Sequence, residues 1–185
     1  MRPLSNFAIL CIGLVATLLV LSDAEAQIKT PPRATPDYVN AAGFGLSYGE
    51  ISKREADFWG WSLNYSRLLN DLWTAGLSLT WDEETEQFID RPDKSVRSYT
   101  LIGTISYSLT QNFSLTTGLA HGIADDDNAT GTMKFKSGNV STGLSLGYSW
   151  PLNKRNSTSA SLAYEYNISE NEPSVSVDVS LGWSF

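Results

Sequence analysis

The most regular feature of the sequence is a strict alternation of apolar and polar residues over positions 174–185. One face of an extended chain would carry Val175, Val177, Val179, Leu181, Trp183 and Phe185, and the other Ser174, Ser176, Asp178, Ser180, Gly182 and Ser184. Because successive side chains of a β-strand point to opposite faces, this period predicts a strand with one apolar face.

The same period recurs in seven segments upstream. They are 42–48, 59–66, 73–81, 99–107, 113–123, 140–150 and 159–166. Short turn sequences at 70–71, 110–111 and 152–156 alternate with longer, more charged connections at 50–57, 82–97, 124–136 and 169–173. The pattern therefore predicts an all-β, antiparallel, up-and-down fold of eight strands.

The composition of the polar face decides which side of such a barrel meets water. That face is Ser, Thr and Gly with almost no Lys or Glu, whereas a water-exposed surface normally carries charge. An eight-stranded barrel is only just wide enough inside for side chains, so it suits small residues rather than many Trp, Tyr and Leu. We expect an eight-stranded antiparallel transmembrane β-barrel with its apolar face outward. Alternation alone also fits a soluble barrel with the apolar face inward.

Aromatic residues lie at both ends of the predicted lipid-facing stripes. Such amphipathic rings at the two membrane–water interfaces are typical of membrane barrels. The predicted girdle residues are Trp59, Tyr65, Trp73, Trp81, Tyr99, Tyr107, Trp150 and Trp183.

The first 26 residues have the pattern of a cleaved signal peptide. Arg2 supplies a positive charge, 7–21 is an apolar run, and 24–26 reads Ala-Glu-Ala, which is typical of a cleavage site. We expect a signal peptide at 1–26, a Pro-rich periplasmic leader at 27–37 and the barrel at 38–185. The only cysteine, Cys11, falls in the first segment, so disulfides and thiolate metal sites are not expected.

At this point the chain resembles the small eight-stranded bacterial outer-membrane proteins. The terminal Phe185, with apolar residues at 177, 179, 181 and 183, is similar to the insertion signal read by the outer-membrane assembly machinery. The resemblance implies a Gram-negative outer membrane, contact with its lipid and lipopolysaccharide, and long loops on the outside. Barrels of this size include adhesins, structural proteins, narrow channels and lipid-modifying enzymes, so the resemblance leaves the function open.

Charge and motifs exclude several classes of function. The formal net charge is -7, which disfavours nucleic-acid binding. The sequence has no phosphate-binding glycine loop, zinc motif or G-x-S-x-G nucleophile elbow. No cofactor, metal or catalytic residue is therefore predicted.

Two inward-facing carboxylates form the most specific predicted feature of the lumen. A last hairpin turning about residues 171 and 172 would place Glu165 opposite Asp178, and a two-residue register change would leave them diagonal neighbours. No Lys or Arg has inward parity on the predicted strand cores. Since two carboxylates in a low-dielectric site cannot both carry charge cheaply, they would share a proton or hold a cation.

Two other polar features of the sequence are candidates for chemistry. His121, the only histidine, has outward parity with Leu119 and Ile123; a lipid-facing His resembles outer-membrane lipid A deacylases, but their His-x-Ser pattern is not met. Residues 125–128, Asp-Asp-Asp-Asn, fail the spacing of a calcium loop. They favour a solvated loop tip, with weak divalent-ion bridging to lipopolysaccharide as the alternative.

The sequence is compatible with three functions. The first is a non-enzymatic structural or surface barrel with acidic external loops. The second is a narrow cation-preferring pore for small solutes, and the third a lipid A-modifying enzyme that uses His121.

Overall fold

The computed structural model describes residues 38–53, 56–86, 94–127, 132–135 and 138–185. The predicted signal peptide and the predicted leader lie outside these residues. The described part contains the strands β1 (Asn40–Ile51), β2 (Ala56–Leu68), β3 (Trp73–Glu86), β4 (Lys94–Ser108), β5 (Phe113–Asp127), β6 (Thr132–Phe135), β7 (Val140–Pro151), β8 (Asn156–Asn167) and β9 (Glu172–Ser184). It contains no helix long and apolar enough to cross a membrane.

Eight of these strands close into an antiparallel barrel, as predicted. Each pairs with its neighbours in the order β4-β3-β2-β1-β9-β8-β7-β5, and β4 pairs with β5 to complete the ring. The ninth, β6, pairs only with the far end of β5. Because the ring has no edge, each barrel strand has a hydrogen-bonding partner on both sides.

The apolar face of the barrel points outward. Leu119, Leu63 and Val179 are 65%, 52% and 53% exposed. Among the described residues, the buried apolar side chains are three alanines, Ala56, Ala120 and Ala124. A soluble barrel would bury its large apolar side chains instead, so the soluble alternative is wrong.

The strands extend beyond the limits predicted from the apolar pattern. Asp82 pairs with Ser98 and Glu86 with Lys94, so most of the predicted 82–97 loop is strand. The predicted loop at 124–136 likewise contains the end of β5 and all of β6. Charged residues end the apolar alternation where a strand leaves the membrane, but they do not prevent the strands from pairing beyond it. A span needs only about 9–11 residues.

Side-chain hydrogen bonds build the three short turns at one end of the barrel. Asn70 Oδ1 accepts from the backbone N–H groups of Leu72 and Trp73, each at 3.0 Å. Thr110 and Asn153 each accept bonds from the second and third residues after them in the same way. Such Asx- and Thr-turns favour short connections. Both described chain ends meet here, because Asn40 and Phe185 exchange backbone hydrogen bonds at 3.1 and 2.8 Å.

The outward apolar face predicts a large cost for charge at mid-barrel. Leu63 lies at the middle of β2, opposite Phe44 and Leu79. We expect Leu63→Arg to lower the free energy of unfolding by about 2–4 kcal/mol, because it places a cation in hydrocarbon. Denaturant titration of the barrel in lipid vesicles measures this.

The matched control is Leu72→Arg, in an exposed turn, where the cost should be about 0–1 kcal/mol, as near an interface. Equal costs at both positions would contradict an outward lipid-facing band.

Candidate functional site: the acidic lumen

The interior of the barrel is lined mainly by small polar side chains around open space. A lower cavity of about 470 Å³ runs along the barrel to Ser106 and Ser149, each two residues from the short-turn end of its strand. An upper cavity of about 220 Å³ reaches Glu84 and Glu172 near the opposite rim. Space of this size is large enough for several water molecules.

Hydroxyl and amide groups on the lumen wall bond to one another across strands. Ser78 Oγ donates to Asn64 Oδ1 at 2.6 Å, and Asn64 Nδ2 donates to Ser62 Oγ at 3.1 Å. Ser159 and Ser180 share a 2.7 Å hydrogen bond on the other side of the barrel. Since these bonds occupy wall groups without filling the centre, the lumen is polar and open.

Glu165 and Asp178 both line the lower cavity, but they are not opposite each other. Glu165 pairs with Ser174, and Asp178 pairs with Ser161, so the predicted register is displaced by four residues. The reason is the turn: Asn167 Oδ1 accepts from the N–H groups of Ser169 and Glu170 at 3.0 and 3.1 Å. This Asx-turn limits the connection to 168–171, with its centre before the predicted one.

Each of these carboxylates has a hydroxyl donor of its own. Ser141 on β7 donates its hydroxyl hydrogen bond to Glu165 Oε1. Ser161 Oγ donates to Asp178 Oδ2 at 3.3 Å. Each carboxylate is thus held by a neutral hydroxyl donor and not by a cation.

Asp82 is a lumen carboxylate that the sequence reasoning missed. It lies on β3 between Gly60 and Ser98 and lines both cavities. The prediction ended this strand at Trp81 and assigned the next residue to a loop. Parity alone would have found it: if Trp81 faces out and the strand continues, the following side chain faces in.

The lumen carries no counter-cation in the part of the chain that the structure describes. None of the residues lining either cavity is Lys or Arg. Arg97 instead approaches Glu83, with Nε 3.7 Å from Oε2; Glu83 neighbours Asp82 on the strand, so its side chain takes the opposite face. The ionisable side chains among the described lining residues that could carry a full charge are therefore all acidic.

The described residues contain no group of three or more His, Cys, Asp or Glu placed to hold a metal ion. The side chains of 125–127, and residue 128, considered above for calcium, lie outside the described part of the chain.

The predicted girdle residues lie toward the two ends of the strands. Near the short turns, Trp73 packs on Tyr107 with ring centroids 5.0 Å apart, Tyr65 Oη donates to Asn40 Oδ1 at 2.9 Å, and Trp150 and Trp183 lie within three residues of their strand ends. Toward the other end, Trp59 packs on Trp81 at 5.0 Å, and Tyr99 pairs with Trp81.

The sequence reasoning left several aromatic neighbours out of the girdle. Trp61 stacks on Trp81 at 6.3 Å, and Tyr148 packs between Phe113 and Trp150 at 4.7 and 4.6 Å. Trp61 has the same parity as Trp59, and Tyr148 the same parity as Trp150, so parity was the available signal. Phe185 is 59% exposed; its part in insertion stays a prediction.

His121 is exposed on the outer face, directly opposite Leu101 on β4 and Val140 on β7. Both neighbours are apolar, and neither supplies a nucleophile or a carboxylate. The nearby Thr142 hydroxyl donates to the backbone oxygen of Gly118 at 3.0 Å. Nucleophilic catalysis needs a base and a nucleophile within hydrogen-bonding reach, and the outward neighbours of His121 do not provide that arrangement.

This geometry makes a prediction about lipid chemistry. Lipid A from cells producing the protein, from cells producing His121→Ala and from cells lacking the protein should give the same mass spectrum, because neither residue directly opposite His121 is a nucleophile or a carboxylate. Loss of an acyl chain that depends on His121 would contradict this and support the enzyme hypothesis.

Comparisons with known proteins place the barrel among solved structures. No family model matches the chain, and no curated protein matches it. Neisserial surface protein A superposes with a TM-score of 0.57 at 13% identity, covering 83% of this chain and 100% of that chain. The outer membrane protein OprG from Pseudomonas aeruginosa gives 0.54 at 12% identity, covering 84% and 99%. The chain therefore has the fold of a small eight-stranded outer-membrane β-barrel.

Proposed function

We propose that this protein is an integral β-barrel of a Gram-negative outer membrane whose lumen is a narrow, cation-preferring passage for small solutes. The observation that carries the proposal is the set of three carboxylates that line the lower cavity, Asp82, Glu165 and Asp178, on a wall whose described residues include no Lys or Arg. Rings of acidic side chains favour cations in pores.

The size of the lumen residues supports passage rather than a filled scaffold. Along β7, Gly143, Ser145, Gly147 and Ser149 face the lower cavity, and small side chains leave the centre of the barrel to water. The two cavities meet at shared residues and together extend along most of the strand length. A polar interior with room for several water molecules also has room for small cations and small polar molecules.

The orientation follows from the connections. The short turns, the start of β1 and the end of β9 lie at one end of the barrel. The acidic ends of the long strands β3 and β5 lie at the other end. Outer-membrane barrels place short turns in the periplasm and long connections outside. We therefore assign the acidic rim to the cell exterior, where it attracts cations toward the lumen.

The test is conductance of the refolded barrel in planar bilayers under a potassium chloride gradient. We expect a reversal potential showing cation preference. Replacing all three carboxylates, Asp82→Asn, Glu165→Gln and Asp178→Asn, should lower the cation-to-anion permeability ratio by at least about twofold, because it removes the acidic side chains of the lower cavity.

Glu83→Gln is the matched control, since Glu83 adjoins Asp82 on β3 but projects from the other face. It should leave the reversal potential unchanged. A wild-type barrel that conducts no ions, or a triple variant with unaltered selectivity, would overturn the proposal and favour a purely structural or surface role.

A further inference from the structure

Four residues separate the two cavities of the lumen. Phe58, Asp82, Thr100 and Glu165 line both the lower and the upper cavity, and they are the described residues common to the two linings. They come from β2, β3, β4 and β8, so they approach the axis from two sides of the ring. We call this group the waist.

Phe58 is the largest side chain at the waist, and it occupies a position that most of the lumen gives to Ser, Thr or Gly. Its ring lies against Gly49, its partner on β1. A β-carbon at Gly49 would overlap the Cζ and Cε1 atoms of the ring. The missing side chain on β1 therefore provides the space in which the ring lies along the wall.

Asp82 is accommodated in the same way on the adjacent strand pair. A β-carbon at Gly60, its partner on β2, would overlap Asp82 Oδ1. Two glycines on neighbouring strands thus make room for Phe58 and Asp82. The combination places an apolar ring and a carboxylate side by side, with Glu165 on the other side of the lumen.

We propose that the waist, and not the lumen as a whole, determines both the rate and the charge selectivity of passage; this rests on the proposed function. An ion at the waist has the least surrounding water, so a carboxylate there acts on it with the least screening. A ring at the same level limits the open area and resists wetting. Asp178 lines the lower cavity only, so it lies away from the waist.

Single-channel recording of Phe58→Ala tests the size of the waist. We expect conductance to rise by about twofold or more, because an apolar constriction limits the flow of ions. Ile102→Ala is the matched variant: Ile102 also lines the lumen, but only the lower cavity. Its effect should be less than half that of Phe58→Ala. Equal effects of the two truncations would overturn the proposal.

Selectivity is tested by separate neutralisation of two aspartates. Asp82→Asn should lower the cation-to-anion permeability ratio by at least about twofold more than Asp178→Asn does. Of these two aspartates, only Asp82 lies at the waist. Asp178→Asn with the same or a greater effect would contradict selectivity at the waist. Far-UV circular dichroism and the heat-dependent shift in gel mobility verify that each variant forms the barrel.

The outcomes separate this inference from the proposed function. If the wild type conducts no ions and Phe58→Ala does, the waist is a closed constriction and the proposal of an open passage is wrong. If the wild type conducts and Phe58→Ala does not exceed Ile102→Ala, the passage stands and the waist is wrong. If neither conducts, both proposals fall.

Discussion

The rest of the structure depends on closure of the antiparallel ladder. A strand in hydrocarbon has no water to satisfy its backbone N–H and C=O groups, so every one of them needs a partner strand. The pairing of β4 with β5 supplies the last of these partners. Once the ring is closed, the strand period of two sorts all side chains into one set facing lipid and one facing the lumen. That sorting determines which side chains line the lumen and are available for function.

The sorting explains how much the sequence could reveal. One face of each strand contacts lipid and the other the aqueous lumen, so the two faces differ in composition. In the last strand this is the alternation of Val175, Val177 and Val179 with Ser176 and Asp178. Strand number, the outward apolar face and the inward parity of Glu165 were therefore predictable. Beyond the membrane both faces meet water, the contrast vanishes, and the prediction ended β3 five residues too early, at Trp81 instead of Glu86.

The pairing register of two strands is determined by the turn between them and not by the alternation of apolar and polar residues. In the last hairpin, Asn167 closes an Asx-turn, and Asn171 adopts a left-handed conformation with a φ of 57°. Asn tolerates that region better than most residues. Nothing in the alternation of β8 and β9 distinguishes pairing of Glu165 with Ser174 from pairing with Asp178, because both choices keep every side chain on its own face. The asparagines of the turn decide between them.

The glycines of the lumen link this register to the composition of the waist. An inward Gly on one strand makes room for a large partner on the next only if the two are in register, as Gly49 is with Phe58 and Gly60 with Asp82. A shift of two residues would keep all faces correct and still place Phe58 opposite Ser47 or Ile51 instead of Gly49. The position of the ring and of the carboxylate beside it is therefore a consequence of pairing, which is why a sequence read strand by strand did not disclose it.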